Sequence, residues 1–199
     1  MKNIILALFI CTLLLPFESI AQKDGNTRLS AGFALGRYGK FDHGNSFSNE
    51  TNYPSFIIQV ERPWIDQFTI GAYVGYSGQK HLLNKNIIGY AKHNYYRVGA
   101  LVSYKLNELL RTIEINPGYD WDIYSTLRTG FSLENRDFKD YRYNSDIQPI
   151  IINDTDSRLL FDLGITVGCR YHILNDLSLF GELGYGTCGF VTVGACFWL

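Results

Sequence analysis

The last nine residues, Val191 to Leu199, alternate apolar with small or polar side chains up to the final position. Val191, Val193, Ala195, Phe197 and Leu199 fall on one face of a strand, because successive side chains of an extended chain point to opposite sides. A strand that finishes in this way has no following segment to cover its apolar face, and the expected cover is lipid. A sheet can cross hydrocarbon only when it closes into a barrel, since an open edge would leave backbone N–H and C=O groups without partners.

The other end carries an export pattern. Met1-Lys2-Asn3 is a short basic start, Ile4 to Leu15 is an apolar run of about 12 residues, and Ser19-Ile20-Ala21 is a small-x-small cleavage site. The run ends at Pro16 and Glu18, short of the roughly 20 residues a spanning helix needs. Cys11 lies within it behind Phe9 and Ile10, where a lipoprotein signal would carry a small residue. Residues 1–21 are therefore expected to be a signal peptide, and residues 22–199 one domain.

The balance of 18 basic and 19 acidic residues leaves no basic footprint for nucleic acid. Cys169, Cys188 and Cys196 remain after the signal, an odd number, so a disulfide framework is not expected. Nineteen glycines, 14 tyrosines and 13 phenylalanines suit strands that curve tightly and carry rings at a membrane boundary.

The period-two pattern is clearest from Phe161 to Tyr171. Phe161, Leu163, Ile165, Val167, Cys169 and Tyr171 share one face, and Asp162, Gly164, Thr166, Gly168 and Arg170 the other. At about 3.3 Å per residue and a tilt of about 40°, this strand covers roughly 25 Å along the membrane normal. Similar strands are expected near Arg28–Tyr38, Ser55–Glu61, Phe68–Ser77, Asn94–Lys105, Thr112–Ser125, Ser178–Gly186 and Phe190–Leu199. In the Thr112–Ser125 strand, Ile113, Ile115, Tyr119, Trp121 and Ile123 are expected to face lipid, with a bulge at Pro117. The reading is all-β: an eight-stranded antiparallel up-and-down transmembrane barrel. Tight links at Arg62–Asp66, Leu106–Leu110 and His172–Asp176 alternate with long ones at Gly39–Pro54, Gly78–His93 and Thr126–Ser157. That alternation places both termini in the periplasm and the long loops outside. The last outer link, Thr187–Gly189, is short.

Val167-Gly-Cys-Arg-Tyr-His-Ile-Leu, Leu179-Phe-Gly-Glu-Leu-Gly-Tyr-Gly and Val193-Gly-Ala-Cys-Phe-Trp-Leu resemble the last three strands of small bacterial outer-membrane β-barrel domain proteins. These are the eight-stranded kind, related in shape to OmpX and to the membrane part of OmpA. Glu61 and Ile70-Gly-Ala-Tyr-Val-Gly-Tyr match the same pattern in the second and third strands. The resemblance implies a monomer in the Gram-negative outer membrane, in contact with its lipid and lipopolysaccharide and inserted by the barrel-assembly machinery.

The inward positions are expected to carry Arg37, Glu61, Arg97, Lys105, Glu114, Asp120, Asp122, Asp162, Arg170 and Glu182. An eight-stranded barrel is only wide enough for its own side chains, and mixed charges are tolerable inside when they pair. A filled structural network is therefore favoured over a conducting channel. Function then falls to the outer loops, above all Thr126–Ser157, where Arg136, Phe138, Tyr141, Arg142 and Tyr143 combine the residue types enriched at binding hot spots. Asp146, Asp154 and Asp156 lack a calcium-loop spacing, and His81, His93 and His172 are dispersed, so neither metal nor cofactor is expected. Glycines 181, 184, 186 and 189 precede no helix and form no dinucleotide motif.

Two other classes stay open. A lipid A-modifying barrel enzyme would need a nucleophile and a base, for which the candidates are Asp42, His43 and Ser46. A secreted lipocalin-like barrel would turn its apolar faces inward around a small ligand. The less apolar face here mixes Gly with Asp, Arg, Glu and Thr and is poor in Lys, which favours the membrane barrel. A non-enzymatic envelope or surface-interaction protein is the expected function.

Overall fold

The computed structural model describes residues 27–35, 47–83, 88–143, 149–185 and 188–199. The expected signal peptide, Arg37, and the candidates Asp42, His43, Ser46 and Asp146 lie outside them.

Eight antiparallel strands close into an up-and-down barrel. They are β1 (Arg28–Leu35), β2 (Phe47–Ile65), β3 (Phe68–Leu83), β4 (Ile88–Lys105), β5 (Trp121–Tyr143), β6 (Pro149–His172), β7 (Leu177–Tyr185) and β8 (Val191–Trp198). Closure is made by β1 on β8, in a register running from Arg28 opposite Trp198 to Leu35 opposite Val191. The alternating C-terminal strand is thus the seam that removes the last sheet edge.

The pleat sorts the side chains by polarity. Outward positions hold Leu29, Phe33, Phe56, Val74, Val102, Leu163, Ile165, Val167 and Leu183, all solvent-facing in the isolated chain. Inward positions hold Arg28, Gln59, Glu61, Arg97, Arg128, Asp162, Arg170 and Glu182, all buried. This is the reverse of a water-soluble barrel, and it removes the basis for a lipocalin-like apolar pocket among the described residues. A belt of rings borders each end of the apolar surface. One contains Phe68 with Tyr104 at 4.8 Å and Trp121 with Tyr171 at 4.9 Å. The other contains Phe56 with Tyr76 at 5.5 Å, Tyr76 with Tyr96 at 5.4 Å, and Phe131 with Phe161 at 6.1 Å.

The connection between β4 and β5 corrects the expected strand over Thr112–Ser125. The chain leaves β4 at Leu106, forms a short helix α1 (Asn107–Thr112), and returns only at Trp121. The Asn107 amide is the pivot: its Nδ2 donates to the Trp121 carbonyl at 2.6 Å, and its Oδ1 accepts from the Ile123 N–H at 2.7 Å. That side chain takes the ladder place a fifth-strand extension would need. Glu114 then adopts a left-handed φ of 65° and Gly118 one of 88°. Ile113, Ile115 and Tyr119 belong to this connection, not to a lipid-facing strand face, and Pro117 sits in it without making a bulge in the sheet. The register of β2 on β3 shifts at three places, between Phe47 and Asn49 and beside Pro54 and Pro63, and at the two prolines a missing N–H interrupts the ladder.

The expected long loops are also corrected. β5 is 23 residues long and β6 is 24, and they stay paired from Trp121 opposite Tyr171 to Tyr143 opposite Pro149. Most of Thr126–Ser157 is therefore hairpin. The upper parts of β2, β3 and β4 extend in the same way. β6, in contrast, pairs with β7 only up to Ile165 opposite Tyr185. Above that level, among the described residues, one side of β6 has no neighbouring strand.

Candidate functional site

The interior is built in tiers by inward positions at the same pleat parity. At the turn end, Arg28 forms an ion pair with Glu61 and lies over the Trp198 ring, 5.2 Å from its centroid. Glu61 also accepts from Thr69 Oγ1 at 3.0 Å and Ser103 Oγ at 3.3 Å. Beside it, Asp122 faces Arg170 at 3.7 Å and His172 Nε2 at 3.1 Å, and Ser178 Oγ meets His172 Nδ1 at 2.9 Å. The middle tier is centred on Arg128. Its Nη2 donates to both Glu182 carboxylate oxygens, at 2.9 and 2.8 Å, and to Gln59 Oε1 at 2.9 Å, while Nη1 donates to Thr166 Oγ1 at 2.9 Å. Tyr124 donates its hydroxyl to Glu182 at 3.1 Å, and its ring carries Arg170 on one face, 4.6 Å away. Above, Arg97 pairs with Asp162 at 3.0 Å and donates to Ser77 Oγ at 2.7 Å.

A fourth tier stands beyond the second ring belt. Glu134 accepts from Arg136 Nε at 2.8 Å and Nη2 at 3.0 Å, from the Tyr95 hydroxyl at 3.0 Å, and faces His93 Nδ1 at 3.0 Å. Burial pushes the Glu134 carboxyl up, but the hydrogen bonds from Arg136, His93 and Tyr95 outweigh it and hold the group below the usual carboxylate range.

Glu61, Arg97, Asp122, Asp162, Arg170 and Glu182 all meet in these tiers. Glu114 and Asp120 do not. Both are exposed in the β4–β5 connection, because the strand that would have turned them inward starts only at Trp121. Arg28, Arg128, Gln59, Tyr124, His93 and Glu134 are interior members that the sequence reading missed. Arg28 had the required parity, two positions before Ser30 on the face opposite Leu29. Arg128 and Glu134 were hidden by reading their strand as loop, and His93, expected in a loop, lies buried on β4.

Asp122, His172 and Ser178 form a chain with the members of a nucleophilic triad. Ser178 is fully buried against the β8 seam, so its hydroxyl offers no face to a substrate, and the chain serves as a brace. Among the described residues no cluster of His, Cys, Asp or Glu could hold a metal.

In the outer loop region, Arg136 is committed to Glu134. Phe138, Tyr141, Arg142 and Tyr143 are on the β5 ladder opposite Asp154, Ile151, Ile150 and Pro149, and Asp156 pairs with Arg158 at 2.8 Å.

The thiols change one expectation. Cys169 is half-buried on the outward face, and Cys196 is fully buried inside. Cys188, expected at the outer rim, has its sulfur turned inward, 3.8 Å from Arg97 Nη1 and 1 % exposed. A membrane-impermeant maleimide is therefore expected to leave Cys188 and Cys196 unmodified in the folded protein and to label both after boiling. Equal Cys188 labelling before and after boiling would contradict this placement.

No protein-family model matches the chain, and no curated protein matches it in sequence. The solved structures to which the chain is similar include three outer-membrane barrels. One is Ail, the attachment invasion locus protein of Yersinia pestis, in complex with the heparin analogue sucrose octasulfate: 14 % identity, 88 % of this chain and 99 % of that one covered, TM-score 0.46. Ail in a phospholipid bilayer nanodisc matches at 14 % identity over 88 % of this chain and 100 % of that one, TM-score 0.42. The N-terminal β-barrel domain of Pseudomonas aeruginosa OprF matches at 13 % identity over 87 % and 98 %, TM-score 0.43.

Proposed function

We propose that this chain is a non-enzymatic, essentially non-conducting barrel of the bacterial outer membrane that works at the cell surface through the strands rising beyond its second ring belt. The observation that carries the membrane reading is the inverted polarity of the wall, with apolar side chains outside and paired charges inside. Both termini then lie on the periplasmic side, with the turns at Asp66–Gln67 and Ile173–Asp176. The filled tiers leave the interior to side chains, so transport is not the role. The side of β6 that has no neighbouring strand among the described residues supports a surface role: it offers backbone groups to a partner strand. Arg158 and Leu160 stand beside that edge, both exposed, to select what pairs there.

The test is made in cells and in planar bilayers. The unboiled protein from the outer-membrane fraction is expected to migrate faster on a gel than the boiled one, and the purified barrel to give no channel steps. Removing Asp137–Thr155 and closing the hairpin at Arg136 opposite Asp156 should keep the gel shift and abolish attachment of the cells to coated surfaces. A soluble chain without a gel shift would end the membrane reading. Unchanged attachment would leave the envelope-structural role alone.

A further inference from the structure

The β4–β5 connection, residues 106–120, hangs from the first ring belt at both ends. It begins two residues beyond Tyr104 and returns at Trp121, both of them belt residues. Between these points the backbone is held by its own bonds. The Leu110 N–H donates to the Leu106 carbonyl at 2.9 Å, the Ile115 N–H to the Leu110 carbonyl at 2.9 Å, and the Gly118 N–H to Asn116 Oδ1 at 3.2 Å. The Glu108 carboxylate accepts from Gln67 Nε2 in the β2–β3 turn, which ties the two neighbouring connections together. This fixed segment is apolar on its surface. α1 buries none of its residues. Leu109, Ile113, Ile115 and Tyr119 are each more than half exposed, and so are Trp64 and Ile65 at the adjoining end of β2. Large apolar side chains gathered and held at one rim mark a contact surface, where single ones scattered over a protein would not.

Position and charge choose what covers it. Trp121 shares the outward face with Tyr171, and its ring lies 4.0 Å from where a Cβ on Gly118 would stand. The returning chain therefore runs against the outer side of the wall, and its apolar surface continues that of the barrel. Glu108, Glu114 and Asp120 outnumber Arg111 in the connection, so it has no electrostatic pull toward an anionic surface. What it offers is apolar contact, with a tyrosine and a tryptophan at the boundary where such rings collect in membranes.

We infer that the β4–β5 connection is an interfacial anchor in the phospholipid leaflet on the periplasmic side, with Leu109, Ile113, Ile115 and Tyr119 sunk about 5–10 Å into the headgroup and acyl boundary. The inference rests on the membrane reading above. It adds a membrane contact made by a segment outside the barrel wall, on the leaflet opposite the rising strands.

The barrel is placed singly in nanodiscs of phosphatidylcholine, of phosphatidylcholine brominated along its acyl chains, or of phosphatidylcholine with phosphatidylglycerol, and its fold is checked by the gel shift. Tyr119→Trp, Ile113→Trp and, as a control, Arg111→Trp each add one fluorophore to the three native tryptophans. Arg111 stands two residues from both Leu109 and Ile113, on the other side of α1. The light added at positions 119 and 113 is expected to be mostly lost in the brominated discs and to resist aqueous acrylamide, whereas that added at position 111 should be quenched by acrylamide. Phosphatidylglycerol and salt should change neither result, because the contact is apolar. Ile113→Glu/Ile115→Glu should open the fluorophore at position 119 to acrylamide and keep the gel shift. Light at positions 119 and 113 that acrylamide quenches and bromine spares would overturn the anchor, and so would shielding that survives the glutamate pair. Shielding that appears only when two barrels share a disc would assign the surface to a second copy and overturn the lipid contact. Failure of the wild type to give a heat-shifted barrel in phosphatidylcholine discs would instead sink the membrane reading itself.

Discussion

Glu182→Ala is expected to lower the unfolding temperature of the barrel by about 10 °C or more, read as the temperature at which the unboiled gel band converts to the boiled one. Glu182 is the carboxylate on which Arg128 and Tyr124 converge, and all three side chains are buried. Removing one partner strands a guanidinium inside the wall, a loss of about 3–5 kcal/mol, where each kcal/mol shifts the midpoint of a chain this size by about 2–4 °C. Replacing both partners separates charge loss from shape loss. Arg128→Met/Glu182→Leu removes the charges together, and a buried pair exchanged for apolar side chains of similar volume is often neutral. The double variant is expected to recover most of the loss. A Glu182→Ala barrel that melts within about 2 °C of the wild type would mean that water reaches Arg128 and that the middle tier is not closed.

The tiers also show where the sequence is legible. Asp162, Arg170 and Glu182 stand in strands whose outward faces are apolar, so the period of two placed each of them inward. Arg128 sits on an equally regular strand, but Thr129 and Ser125 dilute the apolar face on either side of Leu127, so the pattern there resembles a loop. The upper halves of β5 and β6 failed for a further reason. Beyond the ring belt the hydrophobic alternation ends while the backbone ladder continues. Strand pairing there is fixed by hydrogen bonds and register, which leave no mark in hydropathy. The opposite error came at Ile113 to Tyr119. Alternating apolar residues imitate a strand, and the competing interaction, the Asn107 amide occupying the ladder at Trp121 and Ile123, is two hydrogen bonds of one side chain to residues far apart in the pattern. Glu114 and Asp120 were misplaced with it.

Glycine is the other feature that composition announced without saying where it mattered. Gly99 on β4 is opposite Gly130 on β5, both inward at a point where the two strands press together. A Cβ on Gly99 would stand against the Thr129 carbonyl oxygen, well inside contact distance, and 2.7 Å from Cε1 of the Tyr73 ring and 2.8 Å from the Gly130 Cα. Backbone on one side and a buried ring on the other cannot both move. Gly181 makes the contrast. It is on the outward face of β7, with nothing within 4 Å of where its Cβ would be. Gly99→Ala is therefore expected to prevent stable closure or to lower the unfolding temperature by several degrees, at an overpacking cost of about 1–3 kcal/mol or more, whereas Gly181→Ala should leave it unchanged or slightly raised. Folding yield in detergent and the temperature of the gel shift measure both variants side by side. Equal behaviour of the two would mean that the close approach of β4 and β5 relaxes freely, and that glycine at position 99 is not what permits the curvature of the wall.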